Sequence, residues 1–179
     1  IIITTSRLVR KNGIDLLIHA MPDVLKKFPD VQLHIVGDGP DHRILKDIIK
    51  RYNNTGLEEA IIFFGEVPFE KIPEHLASAR LFVRPSRSEG LGTAFLEAMA
   101  MGIPVIATRV GGIPDFLEDE VTGLFANIED SQDLARQIIR LWEDEELYHT
   151  LSENGRRLIK EKYFWNSIAE RIKRIFMSL

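Results

Sequence analysis

Residues 86–100 read SRSEGLGTAFLEAMA and follow directly on a short apolar run. The change from an apolar run, through a glycine-containing turn, to helical spacing is typical of the units that build a parallel α/β sheet. In this stretch Glu89 and Glu97 lie eight positions apart, with Gly90 and Gly92 between them where the helix is predicted to begin. The first amide groups of a helix have no partner within it and lie at the positive end of its dipole, so they can bind a phosphate. Carboxylates repel a phosphate but accept hydrogen bonds from hydroxyl groups, so the stretch predicts a ligand that carries both.

The same alternation of apolar runs and amphipathic stretches extends along the chain. Strands are predicted at 1–5, 31–36, 60–64, 81–83, 105–107 and 123–125, and helical spacing lies between them. Most of these runs are almost continuously apolar, as expected for parallel strands that helices cover on both faces. We therefore expect an α/β fold, a doubly wound parallel sheet of about six strands with a helical extension at the C-terminal end.

Composition restricts the classes of function. The chain has 179 residues, 45% of them hydrophobic, which is enough for one domain with its own core. The net charge of −4 gives no electrostatic reason to expect a nucleic acid as partner, and the absence of cysteine excludes disulfides and thiolate metal sites. No apolar run approaches the ~18–20 residues that span a bilayer. The chain begins inside an apparent strand without an initiating methionine, so we expect it to be part of a longer protein.

Polar and glycine-rich loops follow the predicted strands. Arg7 and Lys11 follow the first strand, Gly37 the second, Gly65 the third and residues 86–92 the fourth. In a doubly wound sheet these loops meet at the carboxyl edge, where ligands bind. Arg7 is predicted to neutralise a diphosphate through charge-assisted hydrogen bonds. For Lys11 two interpretations stay open, the same role or a solvated turn before a helix.

Other nucleotide and catalytic motifs are incomplete or missing. The third glycine of a dinucleotide fingerprint is replaced by His42 in one candidate and by Phe95 in the other. The chain has no GxxxxGK[ST] loop, no GxSxG elbow and no histidines at metal-ligand spacing, so we expect no metal. A phospho-receiver domain would need acidic residues where Thr4, Thr5 and Gly65 stand. Residues 111–115, GGIPD, either bring backbone amides close to a ligand or form a simple turn.

Nearly the whole chain resembles the donor-binding half of retaining GT-B glycosyltransferases, the group that includes glycogen synthases and bacterial phosphatidylinositol mannosyltransferases. Besides the spacing of Glu89 and Glu97, the motifs that carry the resemblance are RLV at 7–9, GIDLL at 13–17, VGDGP at 36–40, FGEV at 64–67, PS at 85–86, AMAMGIPVIAT at 98–108, GGIPD at 111–115 and TGL at 122–124. Their order along the chain makes the match specific.

The resemblance implies a Rossmann-like fold and a role for each matching residue. Glu89 would bind hydroxyls of the donor sugar, and Glu97 the ribose hydroxyls of the nucleotide. Arg7, assisted by Lys11, would stabilise the departing diphosphate, so these two residues and Glu89 form the expected catalytic set. The remaining residues expected to bind the nucleoside-diphosphate sugar, such as a UDP or GDP conjugate, are Gly37, Gly65, Glu66, Val67, Ser86, Gly90, Leu91, Gly92 and Thr93. Neither a cofactor nor a metal is implied.

Two positions depart from the family pattern. The usual lysine five positions after the arginine is Asn12 here, and the usual glycine before the arginine is Ser6. Either the loop shifts by one residue so that Lys11 serves, or the diphosphate is held more weakly.

The resemblance also implies a larger protein. It divides the chain into a nucleotide-sugar-binding domain at 1–160 and a C-terminal helix at 161–179 that packs on an N-terminal acceptor domain outside this sequence. Without that domain, we expect the helix to fold onto its own domain or to mediate self-association, and the chain to bind donor without transferring sugar. We expect a cytoplasmic location, with peripheral membrane attachment of the full-length enzyme left open. The alternative function is a sugar-nucleotide epimerase of the same fold, although the Glu89 and Glu97 motif is not typical of epimerases.

Overall fold

A computed structural model describes residues 1–52 and 56–177. It contains a six-stranded sheet in the order β3-β2-β1-β4-β5-β6, in which every strand pair is parallel. The strands are β1 (Ile2–Thr5), β2 (Leu33–Val36), β3 (Ile61–Gly65), β4 (Leu81–Arg84), β5 (Val105–Thr108) and β6 (Leu124–Ala126). The predicted doubly wound sheet of six strands is confirmed.

Eight α-helices are assigned within the described ranges. They are α1 (Ile14–Lys27), α2 (His42–Lys50), α3 (Leu57–Ala60), α4 (Ile72–Ala77), α5 (Thr93–Ala100), α6 (Ser131–Glu143), α7 (Glu145–Lys162) and α8 (Trp165–Met177). The predicted domain boundary after residue 160 lies within the last turn of α7, and α8 is the helical extension. None of the helices, over the ranges just given, is long and apolar enough to cross a membrane.

Helices cover both faces of the sheet because successive strand residues point in opposite directions. Ile2 belongs to the core beneath α1, α2 and α6, and its neighbour Ile3 belongs to the core beneath α4 and α5. Both side chains are fully buried. This two-sided burial explains why the strands read as continuous apolar runs.

The sheet changes direction between β1 and β4. The chain winds outward from β1 to β2 and β3 on one side and from β4 to β5 and β6 on the other. The loops that leave β1 and β4 therefore diverge, and a crevice opens at the carboxyl ends of these two central strands.

Candidate functional site

A cleft of about 750 Å³ lies at this crevice. Its floor is formed where β1, β2 and β4 end, and its walls come from the loops that follow β1, β2 and β3 and from the first residues of α5. The lining residues are Thr5, Ser6, Arg7, Val36, Gly37, Asp38, Gly39, Glu66, Val67, Phe69, Ile72, Arg84, Thr93, Ala94 and Glu97. Of the predicted site residues, the structure thus brings Arg7, Gly37, Glu66, Val67, Thr93 and Glu97 together in one cleft.

Gly37 lets two walls of the cleft approach each other. Its φ is +126°, and a Cβ atom there would lie 2.0 Å from the carbonyl oxygen of Ser6. A side chain would have to displace the backbone that leaves β1, so the close contact requires glycine.

Glu97 lies one turn inside α5 and lines the cleft. Burial raises the pKa of its carboxyl group, while the positive charge of Arg84 acts in the opposite direction. Thr93 and Ala94 also line the cleft, so the N-terminal end of α5, with its partial positive charge, adjoins it. The wall therefore combines a carboxylate, which can accept hydrogen bonds from hydroxyl groups, with a helix end that favours phosphate.

Glu89 occupies a different environment, outside the lining of the cleft. Its Oε2 atom accepts a hydrogen bond from an Nη2 atom of Arg84 at 2.6 Å, and only 13% of its side chain is exposed. The other oxygen, Oε1, accepts from the backbone N–H of Gly90 at 3.1 Å. Each carboxylate oxygen keeps capacity for a further hydrogen bond, so the pairing orients Glu89 without exhausting it.

The glycine loop after Glu89 is held from behind by a second glycine turn. The amide of Gly112 donates to the carbonyl of Gly90 at 2.8 Å, and a Cβ atom on Gly111 would lie 1.7 Å from the carbonyl oxygen of Glu89. Of the two interpretations for this turn, the contacts favour a structural support for the loop. Gly90, in contrast, faces open space, since a Cβ atom there would meet no atom within 4 Å.

The remaining predicted residues lie near the cleft without lining it. Ser86 is fully buried beneath the loop, and its carbonyl accepts a hydrogen bond from the hydroxyl of Thr108. Leu91 is 47% exposed and Gly92 caps α5 in the left-handed conformation. Gly65 ends β3 with φ +70° and open space at its Cβ position, next to the lining residue Glu66.

The structure decides how the loop after β1 is arranged around Asn12. Asn12 is buried, and its side-chain amide donates to the carbonyl of Arg7 at 2.7 Å. Lys11 is exposed and stays outside the lining of the cleft, while its carbonyl accepts from the amide of Arg87 at 2.7 Å. Asn12 therefore replaces the usual lysine with a neutral group that braces the Arg7 backbone, and Arg7 is the cation that this loop places in the cleft.

Two arginines that the sequence analysis did not single out shape the site. Arg84, the last residue of β4, lies on the cleft floor with 7% of its side chain exposed. Arg87 donates two hydrogen bonds to Asp15 and two to Glu129, and so ties the loop after β4 to α1 and to the turn before α6. A charged residue directly after the apolar run LFV was the available signal for Arg84, whereas nothing local marks the partners of Arg87.

Across residues 1–52 and 56–177, no group of three or more histidine or acidic side chains is placed to hold a metal ion. The expectation that no metal takes part stays a prediction.

Comparisons with known proteins agree with this architecture. A family model described as "Glycosyl transferases group 1" matches residues 1–158. A GDP-mannose-dependent phosphatidylinositol monomannoside mannosyltransferase of Mycolicibacterium smegmatis is 32% identical over an alignment of 179 positions that covers 96% of this chain and 46% of that protein. The chain thus spans about half the length of the curated relatives it matches.

Solved structures show the same likeness. The crystallised C-terminal domain of a group 1 family glycosyl transferase from Francisella tularensis superposes with a TM-score of 0.83 at 30% identity, covering 92% of this chain and 86% of that domain. Anabaena HepE in complex with UDP superposes with a TM-score of 0.86 at 27% identity, covering 99% of this chain and 49% of that protein.

Proposed function

The chain belongs to the group 1 glycosyltransferases, and on that basis we propose that it is the half of such an enzyme that binds a nucleoside-diphosphate sugar. The complete enzyme would transfer the sugar to an acceptor with retention of configuration, and the acceptor would be bound by an N-terminal domain. Two of the curated relatives are named as mannosyltransferases, which favours transfer over the epimerase alternative.

One observation supports the proposal most directly, the position of Glu97 in the cleft. Burying a carboxylate disfavours its charged form, so an ionisable group with a raised pKa in a cleft is a candidate for function. At this position its oxygens are available to accept hydrogen bonds from ribose hydroxyls, while the adjoining end of α5 favours the diphosphate.

The other lining residues fit complementary parts of the donor. Arg7 is exposed and positively charged, and it would stabilise the negative charge that develops on the diphosphate as the glycosidic bond breaks. The wall of Glu66, Val67 and Phe69 would lie against the base. Glu89, held by Arg84, would accept hydrogen bonds from hydroxyls of the sugar.

The exposed apolar residues at the end of the chain suit contact with the rest of the enzyme. Phe164 before α8 and Ile172 and Phe176 on it are 50%, 49% and 73% exposed. Because the relatives are about twice as long as this chain, we propose that α8 packs on the N-terminal domain. For the isolated chain the alternatives are that α8 folds onto its own domain or mediates self-association, and sedimentation would distinguish these two.

A nucleotide panel tests donor binding. UDP, GDP and ADP, and a sugar conjugate of each, are added to the chain, once with EDTA and once with Mg²⁺, and Tm is measured. A ligand at 100 times its Kd stabilises the folded form by about 2.7 kcal/mol, and the corresponding rise in Tm for a chain of this size is roughly 5–11 °C. If no nucleotide raises Tm under either condition, the proposal fails.

Two variants test the division of roles between the carboxylates. Glu97→Ala should weaken binding of the bare diphosphate and of its sugar conjugate alike, because both carry the ribose. Glu89→Ala should lose the preference for the conjugate and leave the bare diphosphate bound as before. An equal loss of both ligands in both variants would show that the two residues do not act on different parts of the donor.

A further inference from the structure

Arg84 lies where two central strands end. Burying its charge costs free energy unless hydrogen bonds or an opposite charge offset the loss of hydration. The two strand residues before Arg84, Phe82 and Val83, are apolar and fully buried. Burial lowers the pKa of Arg84, and the charges of Glu89 and Glu97 oppose that effect. A guanidinium stays protonated in proteins, so Arg84 is a fixed positive charge on the floor of the cleft.

The guanidinium is held from three directions. It donates to Oε2 of Glu89 at 2.6 Å and to the carbonyl oxygen of Thr5 at 3.2 Å. Its central carbon lies 4.6 Å from the centre of the Phe95 ring, within the range of a cation–π interaction. β1, β4 and α5 thus fix one planar group, which in turn fixes the carboxylate of Glu89.

The direction of the Glu89 side chain is not determined by its own loop. Glu89 lies in the turn between β4 and α5, and its one other hydrogen bond among the described residues is the contact of Oε1 with the amide that directly follows it. A hydrogen bond to the next residue along the chain does not connect the Glu89 side chain to the sheet. The hydrogen bond to Arg84 makes that connection, because Arg84 belongs to a strand with neighbours on both sides.

We propose that Arg84 is the positioning residue for Glu89: it anchors this carboxylate to the sheet, with one lone pair on each oxygen free for the hydroxyls of the donor sugar. This inference rests on the proposed donor-binding function and adds a specific determinant of sugar affinity to it. Arg84 would also offset the negative charges of Glu89 and Glu97 beside the proposed diphosphate site, where Asn12 replaces a lysine.

The test compares the affinity for a diphosphate with the affinity for its sugar conjugate. Titration calorimetry with UDP, UDP-glucose, GDP and GDP-mannose is performed on the chain and on Arg84→Met, Arg84→Lys, Glu89→Gln and the double variant Arg84→Met/Glu89→Gln. Arg84→Met should weaken the conjugate by about 10- to 100-fold, the value of one hydrogen bond to a charged group, and the bare diphosphate much less. Arg84→Lys keeps the charge but loses the planar fork, so its affinity for the conjugate should lie between those of Arg84→Met and the unaltered chain. The double variant should bind the conjugate no more weakly than Glu89→Gln alone, because both changes remove the same contact.

The matched control is Arg80→Met. Arg80 directly precedes β4, pairs with Glu145 and lies over the rings of Trp142 and Tyr148, at the other end of the strand from the cleft. Its replacement should lower Tm without changing the ratio of the two affinities.

The outcomes separate this inference from the proposed function. If the unaltered chain binds none of the four ligands, the proposed function fails and the role of Arg84 with it. If the chain binds the conjugate but Arg84→Met and Arg84→Lys keep the unaltered ratio, only the positioning role is refuted. Should Arg84→Met not fold because Glu89 is left buried and unpaired, the comparison of the double variant with Glu89→Gln, together with Arg84→Lys, decides the question. A further loss of conjugate affinity in the double variant would refute the role.

Discussion

The variant Gly90→Ala should have opposite effects on stability and on donor binding. Gly90 lies outside the left-handed region of backbone conformation, and an added methyl group would meet no atom within 4 Å. Replacing glycine with alanine at such a position restricts the unfolded chain and stabilises the protein by about 0.4–1 kcal/mol. For a chain of this size we therefore expect Tm to rise by roughly 1–4 °C.

The same methyl group should weaken donor binding. If the phosphates or the sugar approach the backbone at Gly90, the methyl group occupies their space. Forcing an extra methyl group into a packed contact costs about 1–3 kcal/mol, which corresponds to a loss of affinity of roughly 5- to 150-fold. Calorimetric titration with UDP-glucose and GDP-mannose measures this loss, and a thermal melt measures Tm on the same samples.

Gly155→Ala is the matched control for Gly90→Ala. Gly155 lies within α7, where the atoms nearest to an added Cβ would be Cε and Cγ of Met99 at 3.4 and 3.6 Å and the carbonyl oxygen of Thr122 at 3.6 Å, all at ordinary van der Waals distance. This variant should also gain stability, since alanine favours a helix over glycine, but its donor affinity should not change. Unaltered affinity in Gly90→Ala would refute the close approach of the donor to this backbone, and a fall in Tm would show that the fold itself requires the glycine.

Two further predictions concern charged groups whose pKa values are shifted. Arg87→Met should lower the stability by about 2 kcal/mol, because it removes paired hydrogen bonds to Asp15 and Glu129, and Tm should fall by roughly 4–8 °C. Burial alone would raise the pKa of Asp15, but the hydrogen bond and charge of Arg87 bring it below its usual value. The difference in Tm between variant and parent should therefore be full at neutral pH and shrink as the pH falls from about 4 through the lowered pKa of Asp15. A difference that does not shrink at all over an acid titration contradicts this. Glu97→Gln should raise Tm at neutral pH while weakening UDP and GDP binding, because burial raises the pKa of Glu97 and its charged form costs stability above that pKa. This gain should vanish below about pH 4, where the carboxyl is protonated in the folded and unfolded chain alike, and a Tm that falls at pH 7 would show that Glu97 stabilises the fold.

The sheet was predictable from the sequence because its strands are covered on both faces. Burial on both sides requires apolar residues at successive positions, and six such runs match the six strands to within about two residues at each end. β4 differs from its prediction by one residue, since it was predicted to end at Val83 and instead includes Arg84. The apolar criterion stopped at the charged residue, and that residue forms the floor of the cleft.

The sequence predicts which residues of the site meet at the carboxyl edge of the sheet, but not the contacts between their side chains. The positions of Glu97, Arg7 and Gly37 in one cleft follow from the topology of a doubly wound sheet. The partners of Arg87 do not, because Asp15 lies 72 residues away along the chain and Glu129 lies 42. Asn12 is buried and donates a hydrogen bond to the carbonyl of Arg7, whereas its neighbour Lys11 is exposed, and no local sequence pattern distinguishes the two positions.

The arrangement of charge around the cleft shows how two carboxylates could adjoin the proposed diphosphate site. Glu89 is neutralised by direct contact with Arg84, so its charge is largely compensated before any ligand approaches. Among the residues that the structure describes, Glu97 has no such bond, and burial, which disfavours its charge, raises its pKa. A donor would replace the lost hydration of Glu97 with its own hydroxyl groups, which add no charge. Within the described residues, no ion pair joins Arg7 to either carboxylate, and Arg7 is exposed, so its charge would be available for the phosphates of a donor. Under the proposed function, the buried pair of Arg84 and Glu89 would orient the sugar, and the exposed Arg7 would stabilise the leaving diphosphate.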